Sequence, residues 1–410
     1  MGAHKELVAA VKKDDVEAVK QIFEAQMDVL CFIKKYDETD HWSLANDCAS
    51  YGAYHCLVFL IQCMHERGAD RETIKEYLNE RSSTGHAPLH LAVEHGSVAC
   101  VKFLLDEGAD PNLKIKNDYE FHDTSMAIAC WKNHLEMLKL LMEYGGKLDI
   151  KCKYGKTLLH IAAWGNAFEC AAFLVEQGAD VSARYDSGKT PLMYAQDREQ
   201  INDIRITRLL LDHGADVNAA DKDGETALHV AAENDNEKHI RFLLAHGANI
   251  NAQDDKGRTP LHVSMDRGNI TDREGNYYYS EDAFAVLLAH HPDLELADTE
   301  EGYTPLLQAA WEAECGQMED LLAAGADIHA RDYSDHNVLD VILTKTGVDY
   351  YPGGGRLCCE ALYPYLNEEE LVRMDAHITL QEQIRASRKP TKLQLAIREV
   401  LAKGLKRNED

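Results

Sequence analysis

Four histidines at matching places, His90, His160, His229 and His262, are the first residues in this chain that could do chemistry. An imidazole titrates near neutral pH and ligates metals, so such a set could serve acid–base work or hold zinc. Each lies three residues after a helix-opening position, and the four are scattered over the chain. His290-His291 and Cys358-Cys359 are adjacent pairs, a poor geometry for gripping one ion on regular structure. A Cys–His nucleophile would have to come from Cys358 or Cys359 with His377. Neither a P-loop nor a G-x-G-x-x-G, H-E-x-x-H or G-x-S-x-G pattern occurs, and Gly353–Gly355 lacks the context of a phosphate cradle. The expectation is a non-enzyme with no catalytic, cofactor-binding or metal-binding residues.

The elements that carry these histidines repeat. Lys-Thr-Leu-Leu-His from Lys156 recurs as Lys-Thr-Pro-Leu from Lys189, Glu-Thr-Ala-Leu-His from Glu225, Arg-Thr-Pro-Leu-His from Arg258 and Tyr-Thr-Pro-Leu from Tyr303. Leu159 to Leu192, Leu228 to Leu261 and Leu306 to Leu339 are each 33 residues apart. A second landmark follows downstream, Gly-Ala-Asp at Gly108, Gly178, Gly214 and Gly325, with Gly-Ala-Asn at Gly247. On these two landmarks the chain resembles the ankyrin-repeat family, whose unit is a β-turn and two helices with a T-P-L-H-x-A signature. The resemblance implies an all-α fold with short β-turn fingers, a curved ankyrin-repeat α-solenoid. It also implies that the motif histidines satisfy hydrogen bonds of the turns.

The residues themselves fit that unit. A Thr hydroxyl can cap the first helix, and Pro suits its first position. Small residues such as Ala162, Ala163, Ala231 and Ala232 allow close packing of a short inner helix. Gly96 or Gly268 can end it in a left-handed conformation. A longer apolar outer helix follows, as at Val101, Leu104 and Leu105. Such a unit cannot bury its apolar face alone and must stack on neighbours.

About ten units are expected. Residues 1–40 form an N-terminal capping unit, residues 41–345 an array, and residues 346–410 a helical C-terminal cap or extension. Insertions fall at 71–82, 196–204 and 269–280, the last holding Tyr277-Tyr278-Tyr279, and the turn through 117–122 is lengthened. A helix is predicted around Glu368 to Val372. Thr391-Lys392-Leu393-Gln394 opens a last one, with Leu393, Ile397, Val400 and Leu401 on one stripe.

Net charge is −27. Eight basic residues stand against three acidic from Arg385 to Asp410, so residues 1–384 carry −32. That balance excludes broad nucleic-acid binding and favours basic partners. No apolar run is long enough to span a bilayer, and the N-terminus shows no secretory apolar region. The eleven cysteines, among them Cys48, Cys100, Cys130 and Cys170 in apolar helix positions, have no C-x-x-C spacing and are expected reduced and buried. A cytoplasmic or otherwise intracellular protein is expected, delivery into another cell included. Oligomeric state is left open.

In ankyrin arrays the two positions after the inner-helix alanines project into a concave groove. Here that register holds Trp131, Trp164, Glu233, Asp266 and Trp311, then Tyr51, His95, Lys132, Arg267 and Glu312. Turn residues Tyr154, Lys156, Lys189 and Tyr303 should border the same groove. Three of four tryptophans sit at one register position, and Trp is enriched at interface hot spots. The alternative is that they fill gaps beside short neighbours such as Gly165. The leading expectation is a scaffold or adaptor binding a protein partner with basic and apolar features through the groove. The alternatives are an acidic inhibitor of a basic enzyme, toxin or nucleic-acid-binding protein, and an effector with a cryptic C-terminal activity.

Overall fold

A computed structural model describes residues 2–24, 43–116, 123–195, 203–265, 282–312, 314–345 and 361–384. Asp266, Arg267, the 269–280 insertion, the 117–122 turn, residues 196–202, Gly353–Gly355, Cys358, Cys359, the side chain of His377 and the Thr391–Lys406 helix lie outside the described residues. Among the described residues there are 21 α-helices and no strand, with a lone β-bridge between Lys114 and Thr124. The chain forms two compact units, Met1–Asp221 and Lys222–Asp410.

Each repeat opens on its capping residue. Ser43, Thr124, Thr157 and Thr259 accept the backbone N–H three residues on, at 3.2, 3.1, 3.4 and 3.4 Å. Pro88, Pro191, Pro260 and Pro305 take the first helical position, where a missing N–H costs nothing. In the first unit the inner helices Leu44–Ser50, Pro88–His95, Ser125–Trp131, Leu158–Trp164 and Pro191–Tyr194 pack one on the next. In the second, Ala227–Glu233, Pro260–Met265, Pro305–Glu312 and Val338–Lys345 do the same. Ala45, Ala92, Ala129, Ala162, Ala231 and Ala309 are fully buried at these contacts, where larger side chains would force the helices apart.

The motif histidines tie each repeat to the following one. Nδ1 of His160 accepts the Thr157 N–H at 3.2 Å, which leaves Nε2 as the donor, and Nε2 reaches the Lys189 carbonyl at 3.1 Å. His90 binds the Leu113 carbonyl in the same way at 2.8 Å, His229 that of Arg258 at 3.0 Å and His262 that of Tyr303 at 3.1 Å. A second tie, a backbone bond between fingers, recurs at several boundaries: Lys116 N–H to Gly85 O at 3.2 Å, Asp186 to Tyr154 at 2.9 Å, Asp255 to Asp223 at 2.9 Å, Thr299 to Lys256 at 2.7 Å, and Tyr333 to Glu301 at 3.0 Å.

A third tie lies between the two helices of a repeat. Gly52 and Gly96 take a left-handed backbone there, and so do Asp14, Asn133, Asn166 and Asp235. The Asx side chains reach the next repeat. Asp14 accepts the N–H groups of His55 and Cys56 at 3.2 and 2.9 Å, Asn133 that of Cys170 at 3.2 Å, and Asp235 that of Ala283 at 2.7 Å. Each caps an outer helix whose opening amides lack helical partners.

Two added elements dock on the repeats. Residues 71–79 form the helix Arg71–Asn79, capped by Asp70, with Ile74, Tyr77 and Leu78 buried. Its Asn79 donates to the Gly108 carbonyl and accepts from the Asp110 N–H, at 3.1 and 2.7 Å. Near the C-terminal end the helix runs Glu368–Ile384, longer than the predicted stretch. The stretch holds no Gly or Pro, and three glutamates in the first turn complement the helix dipole. Asn367 and Glu370 cap it reciprocally, each N–H bound by the other's side chain at 3.0 Å. Leu371 and Met374 face Val338–Lys345, and Arg373 pairs with Asp340.

Candidate functional site

Trp131 and Trp164 close their inner helices at the same register and meet edge to face, ring centres 4.9 Å apart. Gly165 makes the approach possible. A Cβ there would stand 2.7 Å from the Trp131 carbonyl oxygen and 3.1 Å from its ring carbon Cε3. Both indoles are half-buried, so each packs with one part and faces solvent with another. Trp131 therefore does cover the space above a short neighbour, and still leaves part of its ring exposed.

Behind Trp164 lies Lys156, only 5% exposed. Its Nζ stands 4.8 Å from the Trp164 ring centre, 5.2 Å from that of Tyr194 and 5.3 Å from that of Tyr185. Burial holds its ammonium below the usual lysine range. The two phenols are bonded at 3.0 Å, and both rings meet His160 edge-on, centres 5.6 and 6.0 Å away. Tyr185 and Tyr194 come from the following repeat, and sequence reasoning missed both. The pre-threonine slot of one repeat and two positions of the next share one pocket, so a column alignment of those three positions would have found them.

The other candidates of the first unit are spread out. Tyr154 sits on a finger tip, exposed, in a left-handed conformation at φ 60°. Lys189 reaches towards Asp221 at 3.9 Å. Tyr51 is exposed, with the Lys12 Nζ 4.9 Å from its ring centre, and His95 and Lys132 are exposed too. In the second unit Tyr303 and Trp311 come together, ring centres 5.8 Å apart, with Tyr303 at 9% and Trp311 at 46% exposure. Glu312 follows on the same helix, its Oε1 accepting from Gln308 at 3.1 Å, and Glu233 is exposed.

Among the described residues, the motif histidines and four buried thiols are occupied or held in their neutral forms. Burial pushes His90, His160 and His262 down to about 4. Their nitrogens hold the repeats together. Burial raises the thiols of Cys56 and Cys152 to about 12 and holds those of Cys48 and Cys130 well above the usual thiol range, so none of the four is a thiolate at neutral pH. Among the described residues no three His, Cys, Asp or Glu side chains group into a metal set. No described helix is long and apolar enough to cross a membrane. The arrangement offers aromatic surface with adjoining charge, the chemistry of recognition.

The family model for ankyrin repeats in three copies matches residues 7–115, 112–185, 128–221, 183–254 and 199–274, and that for a single ankyrin repeat matches 301–333. Among curated proteins, the chain is 31% identical over 116 residues to transient receptor potential cation channel subfamily A member 1 of Homo sapiens, covering 21% of this chain and 10% of that protein. Ankyrin repeat protein nuc-2 of Neurospora crassa is 34% identical over 82 residues, 20% of this chain and 7% of its own length. Ankyrin repeat and SOCS box protein 14 of Mus musculus is 32% identical over 109 residues, 26% of this chain and 17% of its own length. The chain thus spans less than a fifth of each of these relatives.

Proposed function

The chain belongs to the ankyrin-repeat family, whose arrays generally mediate protein–protein interaction, and from that premise we propose that it is a non-enzymatic scaffold or adaptor that binds a protein partner. The binding face we assign is the Trp131–Trp164 pair of the first unit. One observation carries this: two half-buried indoles in edge contact at one register, over a glycine that leaves room for them. Rigid aromatic area of this kind loses little entropy on binding and dominates interface energetics. Alanine at Trp131 and at Trp164, tested against a partner captured by affinity purification, weakens binding by about 2 kcal/mol or more each. Unchanged affinity in both folded variants overturns the assignment.

A second reading, capture of a basic enzyme, toxin or nucleic-acid-binding protein, draws on the net charge of −27. A complex that fades steeply as salt rises favours it, and a salt-insensitive one favours the aromatic face. We place the protein inside the cell. The described cysteines are all free, which suits a reducing compartment.

A further inference from the structure

The fingers close on themselves through one backbone bond each. The N–H groups of Ser82, Ile115, Cys152, Tyr185, Asp254, Asp298 and Asp332 reach the carbonyl just before the following motif position. The residue ahead of each donor is Arg81, Lys114, Lys151, Arg184, Gln253, Ala297 and Arg331 in turn. At this position a long side chain reaches along the array. Arg81 Nε donates to the Lys114 carbonyl at 2.8 Å, Lys114 Nζ to the Lys151 carbonyl at 2.7 Å, and Arg184 Nη1 to the carbonyl of Ala220. The acceptor is the matching position of the next finger each time.

That tie needs an N–H and no charge. In the second unit Gln253 Nε2 donates to the carbonyls of Gly257 and Ala297 at 2.7 and 3.2 Å. These are the counterparts of the bonds that Arg184 Nη1 makes to Gly188, at 3.1 Å, and to Ala220. A neutral amide therefore suffices, yet the first unit places a cation at four successive fingers, Arg81, Lys114, Lys151 and Arg184, all of them exposed. A carbonyl partner leaves a cation its full charge, and a guanidinium that spends one N–H on the tie has others to present. Asp123 stands 3.5 Å from Lys114. The neighbouring fingers carry the same sign. Residues 151–156 and 184–189 hold five lysines and arginines against Asp186, whereas 297–303 and 331–336 hold five carboxylates against Arg331. In a chain of net charge −27 the row is a local reversal, and carboxylates more than about 8 Å away are largely screened at physiological salt.

We infer that the row Arg81, Lys114, Lys151 and Arg184 takes an extended acidic segment of the protein partner, its carboxylates pairing with cations one repeat apart. Charge complementarity selects this occupant. A nucleic acid carries phosphate along its whole length and would run past the row onto acidic surface, whereas a short acidic segment ends where the row ends. The inference rests on the protein-binding reading and adds a second contact, made by other residues than the indole pair.

The test is fluorescence anisotropy with two labelled peptides, one alternating glutamate with serine and one glutamine with serine, titrated with the full chain at low salt. The expected result is saturable binding of the glutamate peptide that fades as salt rises, and none of the glutamine peptide. Arg81→Gln, Lys114→Gln, Lys151→Gln and Arg184→Gln combined put an amide where Gln253 has one. Together they are expected to leave the melt near that of the parent and weaken the glutamate peptide about tenfold or more. Lys151→Glu reverses one charge of the row while leaving these side-chain bonds in place, and alone weakens the peptide about fivefold. Arg331→Gln, at the same position of the second unit, leaves it unchanged. Equal binding of both peptides, or an affinity that neither the combined variant nor Lys151→Glu moves, overturns the inference. So does tighter binding of a labelled single-stranded oligonucleotide through the same four residues, or a dimer of the chain that their substitution dissolves. If the glutamate peptide fails to bind while partner capture depends on Trp131 and Trp164, this inference alone fails. If the row binds the peptide while capture ignores both indoles, the indole assignment alone fails.

Discussion

The ammonium of Lys156 is buried against the face of Trp164, 4.8 Å from the ring centre. Cation–π attraction offsets part of the cost of taking that charge out of water, and the lowered pKa shows that burial outweighs it. Lys156→Met keeps the length and removes the charge. It is expected to leave the melting temperature within about 3 °C of the parent, on the high side. Lys156→Glu turns a carboxylate towards three electron-rich rings and is expected to cost about 2–3 kcal/mol by urea denaturation.

Stability falls in mild acid. An unfolded imidazole takes up its proton near 6.5, whereas His90, His160 and His262 resist until about 4 in the folded protein. Between those values the unfolded chain binds more protons, so lowering the pH favours unfolding. The loss begins below about pH 6.5 and is complete near 4, worth about 3 kcal/mol for each of the three. Asp203, held at about 2 by Arg205, loses its contribution only as pH falls from about 3.8 towards 2, below the histidine window, and does not mask the effect. Denaturant titrations across this range measure the slope, and His262→Gln lowers it by about one proton.

Asp14 is a cap that belongs to one repeat and serves the next. Asp14→Ala removes the acceptor for the His55 and Cys56 amides and puts a Cβ-bearing residue without local hydrogen bonding at φ 51°. The expected cost is about 2 kcal/mol. Asp14→Asn keeps an oxygen and tolerates the backbone, so its cost is expected under about 1 kcal/mol.

Gly165→Ala tests whether the indole pair is one unit. The new methyl meets the Trp131 backbone oxygen, which cannot swing aside like a flexible side chain. The expected cost is about 1–3 kcal/mol, with a change in tryptophan fluorescence and weaker partner binding. Normal fluorescence and stability would show that the helices separate freely at this point.

The sequence made the repeats legible because caps, prolines and alanines act locally. Thr157 caps whatever helix begins at Leu158, and Ala162 marks the face that packs closely. Trp131, Trp164 and Trp311 were legible as one register column for the same reason. The enclosure of Lys156 was not. It reads as a solvent-facing turn residue until Tyr185 and Tyr194, 29 and 38 residues later, are stacked over it. The Asx caps were half legible. Asn133, Asn166 and Asp235 share the slot of Gly52 and Gly96, which reveals the left-handed backbone, but the reach to the next repeat depends on inter-repeat spacing.

The caps at Asp14, Asn133 and Asp235 all point the same way along the chain, from an earlier residue to an outer helix that comes 35–50 residues later, and so do the Nε2 bonds of the motif histidines. A chain leaving the ribosome N-terminus first exposes each cap before the helix it serves. The outer helices that open near Cys56, Cys170 and Ala283 therefore emerge with that acceptor already in place. At these caps assembly follows the direction of translation. A fragment shortened from the N-terminal side past Asp14, Asn133 or Asp235 loses the cap of the outer helix that residue serves, whereas one shortened from the C-terminal side beyond that helix keeps it.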